Sequence, residues 1–279
     1  MHFFPNPESA AGVGWTTALP HPDGRDPWSV YERLLNRVPD VGPVHEMTLG
    51  LVWTLCRGER AAGLAMTPAS APRTLPWPGT LAGRPLAELA SWLPAWNAHE
   101  ASVGLAAVNA ALNTPDNPLL AASTPLAGSG NLAVFEHFAP QLKNRRVVVI
   151  GRYPGLDALA RELDLAVLER QPGPGDLPDP ACEYLLPQAD WVFLTASSLA
   201  NKTFPRLAEL SRHATTVLMG PGTPWLADFA DFGIDYLAGV QVADPDLLRR
   251  TVAEGGGTRL FEGAVRYALA PLRKSSPPS

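Results

Sequence analysis

Leu185-Leu-Pro-Gln-Ala-Asp-Trp-Val-Phe-Leu-Thr-Ala-Ser-Ser-Leu-Ala-Asn-Lys-Thr203 is the stretch whose reading decides the fold. Trp191 to Leu194 is continuously apolar, the pattern of a parallel strand covered on both faces. Thr195, Ser197, Ser198, Asn201 and Thr203 follow at its carboxyl end, where open α/β sheets bind their ligands. One hydroxyl suffices to cap the helix expected from Leu199. Five polar side chains in nine residues exceed that need.

Outward from this strand the same alternation repeats. Apolar runs at 147–150, 166–168, 216–219 and 236–240 alternate with helical stretches at 156–163, 199–211, 225–232 and 246–253. That order predicts a doubly wound parallel sheet over residues 131–270. Upstream, Asp26-Pro27 opens a helix striped by Val30, Leu34, Leu35 and Val38. The runs 47–56 and 61–66 read as a hairpin across Arg57-Gly-Glu-Arg60, and 86–93 and 100–112 read as helices. Residues 27–112 thus predict a small α+β domain, joined to the sheet domain through 113–130, where Asn113-Thr-Pro-Asp-Asn-Pro118 breaks periodicity. An irregular arm is expected over 1–26 and a disordered tail over 271–279.

Composition narrows the function classes. A chain of 279 residues favours two domains, and 46% hydrophobic with 18% charged residues is ordinary for a globular protein. No apolar run is long enough to span a bilayer. The opening residues carry no basic segment followed by a long apolar one, so a cytoplasmic location is expected. A net charge of −5 offers no footprint for nucleic acid, and the densest basic pair, Arg145-Arg146, merely precedes a strand. Cys56 and Cys182 are isolated, which argues against a disulfide framework or a zinc ribbon. The six histidines show no HxxH or HExxH spacing. GxSxG elbows and P-loops are absent too.

Four loops leave the carboxyl ends of the expected strands. Gly151-Arg-Tyr-Pro-Gly155 occupies the place of a dinucleotide-binding turn, but Pro154 removes a donor and Tyr153 crowds the approach. Glu169 ends the next strand and reads as a ribose ligand, a metal ligand or a surface ion pair. Thr195 to Thr203 forms the third loop. In the fourth, Gly220-Pro-Gly-Thr-Pro224, the Gly222 amide is a candidate anion donor, against the simpler reading of a tight turn.

Gly104-Leu-Ala-Ala-Val-Asn-Ala110, Val149-Ile-Gly-Arg-Tyr-Pro154, Leu168-Glu-Arg170, Pro174-Gly-Asp-Leu-Pro178, Tyr184-Leu-Leu-Pro187, Leu194 to Thr203, Gly220 to Pro224 and the segment 233–239 occur in order along the chain. Over about residues 27–265 this series resembles the DUF4213/DUF364 proteins. The resemblance implies an enolase N-terminal-like domain followed by a Rossmann-like domain, a site in the cleft between them, and a role in heavy-metal chelation. Carried across by motif, the cleft residues are Asn109, Gly151, Tyr153, Glu169, Thr195, Ser197, Asn201, Thr203 and Gly220. The chain departs from the family where Arg152 and Tyr153 replace His and Phe, and where Ala196 replaces Gly.

The leading expectation is a protein that binds a metal ion, metal complex or metal oxyanion in this cleft, with Glu169 as the charged ligand of any cation. The alternative is an enzyme acting there on a nucleotide-like or small organic substrate, with Glu169 and Tyr153 exchanging protons. No nucleic-acid or membrane partner is expected. An exposed Trp92 and Trp96 pair, four residues apart, would mark a surface for homo-oligomerisation.

Overall fold

A computed structural model describes residues 26–69, 74–128 and 130–272. The arm expected before residue 26 and the tail from 273 lie outside the described residues.

The amino-terminal part starts with α1 (Ser29–Asn36), whose Val30, Tyr31 and Leu34 are buried. Three antiparallel strands follow: β1 (Glu46–Leu49), β2 (Trp53–Arg57) and β3 (Ala62–Met66). The run read as one long strand of a hairpin is therefore two strands. Gly50 to Val52 reverses the chain, and the Gly50 amide donates to the Trp53 carbonyl at 2.9 Å. Continuous apolarity conceals a turn when the turn residues are themselves apolar, as Leu51 and Val52 are. Then come α2 (Leu86–Ala90) and α3 (Ala98–Leu112), the latter capped by Asn97, whose side chain accepts from the His99 and Glu100 amides. All but two residues of α3 are buried. Its Ala and Gly positions let β3 lie directly against it.

The carboxy-terminal part contributes α4 (Pro118–Ala121), β4 (Thr124–Pro125), α5 (Ala133–Leu142), β5 (Val147–Ile150), α6 (Asp157–Ala160), β6 (Leu165–Glu169), β7 (Leu177–Pro178), α7 (Cys182–Leu185), β8 (Trp191–Thr195), α8 (Ser197–Ala200), α9 (Phe204–Leu210), β9 (Thr215–Met219), β10 (Tyr236–Val242), α10 (Pro245–Ala253) and β11 (Val265–Pro271). The strands form one sheet in the order β4-β11-β10-β9-β8-β5-β6-β7. β10 through β7 pair in parallel, and β11 and β4 close one edge antiparallel. The mixed α/β class with a large, mostly parallel sheet follows from the uninterrupted apolar strands. The chain runs outward from β5 to β7, then returns to β8 and proceeds to β10. The order reverses between β5 and β8, where Ile150 pairs with Leu194.

Alternate strand residues feed opposite faces. Val148, Ile150, Val192 and Leu194 join one core with α1, α2 and α3, while Val147, Val149 and Phe193 join a second with α5. Trp53, Leu55 and Leu64 of the small sheet belong to this second core. Both cores therefore run across the boundary between the two parts.

The expected helix 199–211 is broken into α8 and α9 by Asn201 to Thr203, where Lys202 adopts a left-handed φ of 69°. The expected helix 225–232 is a 3₁₀ segment, Ala227–Phe232. The short elements α4, β4, β7 and α7 went unread, as did two longer ones: α5, which carries Pro140, and β11, whose antiparallel edge position lies outside the strand-helix alternation. Trp92 and Trp96 do not pair. Trp92 packs on Trp77 at 5.4 Å, and Trp96, 68% exposed, packs on Trp28 at 5.6 Å. Among the described residues no helix is long and apolar enough to cross a membrane.

Candidate functional site

Gly151 leaves β5 at the point of strand reversal with φ +93°, and a Cβ there would lie 3.3 Å from the Thr195 methyl group. This residue must be small for the two strand ends to approach so closely. The following residue, Arg152, donates from its guanidinium to Asp157 at 2.7 and 2.9 Å and also to Asp176. Its backbone amide donates to Glu169 Oε2 at 3.0 Å, and Glu169 Oε1 accepts from the Arg170 amide at 2.8 Å. Glu169 thus ties the loop after β6 to the loop after β5, as an ion would be tied by a nest of amides. Asp176 is nearly inaccessible and also accepts from the Gly173 amide at 2.9 Å. One arginine against Asp157, Glu169 and Asp176 leaves these loops with a formal charge of −2, since Arg170 is offset by Asp179 at 3.4 Å.

Tyr153 turns its ring inward against Phe135, with centroids 5.2 Å apart. Its hydroxyl is buried without a hydrogen-bond partner. Burial drives the phenol well above its ordinary range, and the charge of Glu169 adds to this. The neighbouring Thr195 hydroxyl pulls the other way. Thr195 Oγ1 nevertheless makes its hydrogen bond to Ser197 Oγ, at 3.0 Å. Tyr153 therefore remains a protonated donor throughout the neutral range. Ser198 Oγ donates to the Thr195 carbonyl at 2.7 Å and so serves the turn itself.

The other residues expected in the cleft are used differently. Asn201 Oδ1 accepts from the Thr203 amide at 3.0 Å and the Thr203 hydroxyl at 2.7 Å, a local turn that starts α9. Asn109 is fully buried, and its amide nitrogen donates to the Leu64 carbonyl at 2.7 Å and the Gly222 carbonyl at 2.9 Å. Gly220 to Trp225 is buried throughout. Gly222 is buried against Leu64, Ala65 and Leu105, and its carbonyl accepts from Asn109. The geometry brings Gly151, Tyr153, Glu169, Thr195 and Ser197 close together at the ends of β5, β6 and β8 and sets Asn109 and Gly222 in the seam between the two parts.

Three features escaped the sequence reading. The Arg152 clamp is signalled only by Asp157 five residues on. Asn113 Oδ1 accepts from the Trp225 amide at 3.1 Å, and the Asn117 side chain donates to the Trp225 carbonyl at 2.7 Å. The spacing of four residues between Asn109, Asn113 and Asn117 was legible, but a turn explained the last two without a partner. Lys202 Nζ donates to the Ala200 carbonyl at 2.7 Å and sits 5.8 Å over the Tyr31 ring, and burial pulls its amine down to about 8.

Two chemistries can be tested against this donor set. A dinucleotide fold presents its pyrophosphate to the amino end of a long helix, but α6 has four residues and follows Pro154. A bare heavy-metal ion needs convergent thiolate, imidazole or carboxylate ligands. Among the described residues no group of three or more His, Cys, Asp or Glu side chains is arranged to hold one. Both thiols are buried in the core, Cys56 pushed up to about 12 and Cys182 to about 11, so neither is a thiolate at neutral pH.

The family models decide the relationship. DUF4213 matches residues 31–112 and DUF364 residues 133–271, each described as "putative heavy-metal chelation". A solved DUF364 protein of unknown function from Desulfitobacterium hafniense DCB-2 is 32% identical, with a TM-score of 0.77 over 88% of this chain and 98% of its own. The chain belongs to the DUF364 family. A second DUF364 structure, from Pyrococcus horikoshii, shares the fold at 20% identity and a TM-score of 0.70, over 88% of this chain and 99% of its own. An uncharacterised protein of Methanocaldococcus jannaschii is 32% identical over 113 residues, 38% of this chain and 43% of that protein. The chain therefore spans less than half the length of that relative.

Proposed function

We propose that this DUF364 protein binds a heavy metal as a preformed complex, gripping the complex's outer atoms in the crevice between β5 and β8. The buried, unpartnered Tyr153 hydroxyl beside the Thr195–Ser197 pair carries this reading. A polar atom withdrawn from water without a partner costs about 1–3 kcal/mol, and a ligand that supplies the partner recovers it. The donors are hydroxyls with one carboxylate, which suit the ammine, aqua or hydroxyl groups around a metal better than the metal itself. The formal charge of −2 on the flanking loops selects a neutral or cationic complex over a free oxyanion such as molybdate. Glu169 faces the ligand as a counter-charge, and Arg152 keeps the loop closed over Asp176.

Calorimetric titration with hexaamminecobalt(III), molybdate and Ni²⁺ tests this reading. The cobalt complex should bind with a stoichiometry near one, and Tyr153→Phe should weaken it by about tenfold, the worth of one hydrogen bond to a charged ligand. Glu169→Gln should weaken the same complex. Should Glu169→Gln instead tighten molybdate while the cobalt complex fails to bind, the ligand is an oxyanion. Tight Ni²⁺ binding unaffected by Tyr153→Phe and Ser197→Ala would remove the crevice from metal handling.

A further inference from the structure

The opposite end of the sheet carries a second recess of contrary charge. A groove of about 630 Å³ opens at the amino ends of β8 and β9, lined by Pro140, Lys143, Arg145, Asp190, Trp191 and His213. Lys143, Arg145 and His213 are exposed, and among the described residues none of them makes an ion pair within 4 Å. The groove's carboxylate is already engaged. Asp190 accepts from the Arg146 amide at 2.8 Å and lies 3.6 Å from its guanidinium, which holds it below the usual carboxylate range. The end of α5 contributes about half a negative charge, which leaves roughly +1.5 from Lys143 and Arg145 even with His213 neutral. That is a concentration of positive charge on a chain whose net charge is −5. Trp191 forms an apolar wall, backed by Phe138 at 5.1 Å and Phe193 at 6.2 Å, so its ring is held in place.

We infer that this groove binds a phosphorylated aromatic small molecule of mononucleotide size, with the phosphate on Lys143 and Arg145 and the ring against Trp191. The volume lies within the range of small-ligand sites. Two cations projecting from one short segment, whose neighbouring carboxylate Asp190 is bonded to Arg146, suit a phosphate, and a rigid indole suits a flat base. The sequence pair Arg145-Arg146, set aside as a nucleic-acid signal, divides here by role: Arg146 neutralises Asp190, and Arg145 faces the groove. The site is independent of the crevice, since it lies at the other ends of the strands.

Calorimetric titration of the full chain with AMP and with inorganic phosphate, at low ionic strength, tests the assignment. AMP should bind at one site with a Kd below about 1 mM, and phosphate at least fivefold more weakly. Arg145→Glu should weaken AMP tenfold or more and Lys143→Gln about threefold. Trp191→Phe should weaken AMP and leave phosphate unchanged. Both charge variants alter exposed side chains, and unchanged thermal melting checks that they fold. Absence of AMP binding, or AMP affinity indifferent to Arg145→Glu, overturns the proposal. Loss of AMP binding in Tyr153→Phe would place the nucleotide in the crevice and overturn it equally, whereas failure of the cobalt complex to bind would leave it standing.

Discussion

The loops after β5 and β9 are both Gly- and Pro-rich connections leaving buried parallel strands, yet the first stays partly exposed and the second is a buried seam. After β9, three asparagines reach the loop from α3 and the residues beyond it: Asn109 to the Gly222 carbonyl, Asn113 to the Trp225 amide and Asn117 to the Trp225 carbonyl. Every residue from 220 to 225 is buried beneath them. After β5 the loop is held from its edges, by Arg152 to Asp157 and Asp176 and by Asn131 to the Pro154 carbonyl at 2.8 Å. The Tyr153 hydroxyl is buried beneath it without a hydrogen-bond partner. Loop composition does not decide between site and scaffold. What differs between these two loops is what covers them: side chains from α3 and the residues beyond it close over the loop after β9, whereas the loop after β5 is held by residues of the sheet part alone.

The sharpest way to break this contrast is to disturb the β3–α3 packing that presents Asn109 to the seam. A Cβ at Gly63 would lie 2.2 Å from the Ala106 carbonyl oxygen and the Ala110 amide nitrogen, both backbone atoms that cannot give way cheaply. Gly63→Ala should therefore cost about 3 kcal/mol and lower the melting temperature by roughly 10 °C; a shift below a few degrees would mean that the β3–α3 packing behind the seam yields easily. Asn109→Ala removes one hydrogen bond to β3 and one across the seam to Gly222, and should cost about 2 kcal/mol, read by denaturant titration, with protease sensitivity rising at residues 220–225. The crevice should respond in the opposite sense: Tyr153→Phe deletes a buried hydroxyl without a partner and should stabilise the apoprotein by up to about 1 kcal/mol while weakening ligand binding. A destabilised Tyr153→Phe protein would show that the phenol is part of the scaffold.

The smallest effect distinguishes the crevice from the thiols as a place for heavy metals. With Cys56 pushed up to about 12 and Cys182 to about 11, the folded protein keeps protons that the unfolded chain releases above pH 9. Stability contributed by these groups is complete below pH 9 and is lost as pH rises toward 12. At pH 8 both thiols should resist a disulfide reagent until denaturant is added. Rapid modification of the native protein would make the cysteines metal ligands in their own right.

By itself the sequence determined the parallel sheet, because strands covered on both faces must be continuously apolar, and Trp191–Leu194, Val147–Ile150 and Thr216–Met219 are. It also placed Gly151, Tyr153, Glu169, Thr195 and Ser197 at strand ends, since a strand's carboxyl end is legible wherever apolar residues give way to polar ones. The break at Gly50–Val52 was not legible, nor was the split of α8 from α9, because local apolarity and periodicity do not report a reversal made of apolar residues or a left-handed lysine. Only the tertiary structure decided which strand-end residues are spent and which are free. Asn109 and Asn201 carry polar side chains as Tyr153 and Ser197 do, and nothing in their identity assigns the partner: Asn109 donates to Leu64 and Gly222, Asn201 accepts from Thr203, Ser197 pairs with Thr195, and the Tyr153 hydroxyl pairs with nothing. A hydrogen bond is satisfied by whatever lies within 3 Å, and that is set by packing between residues more than a hundred positions apart.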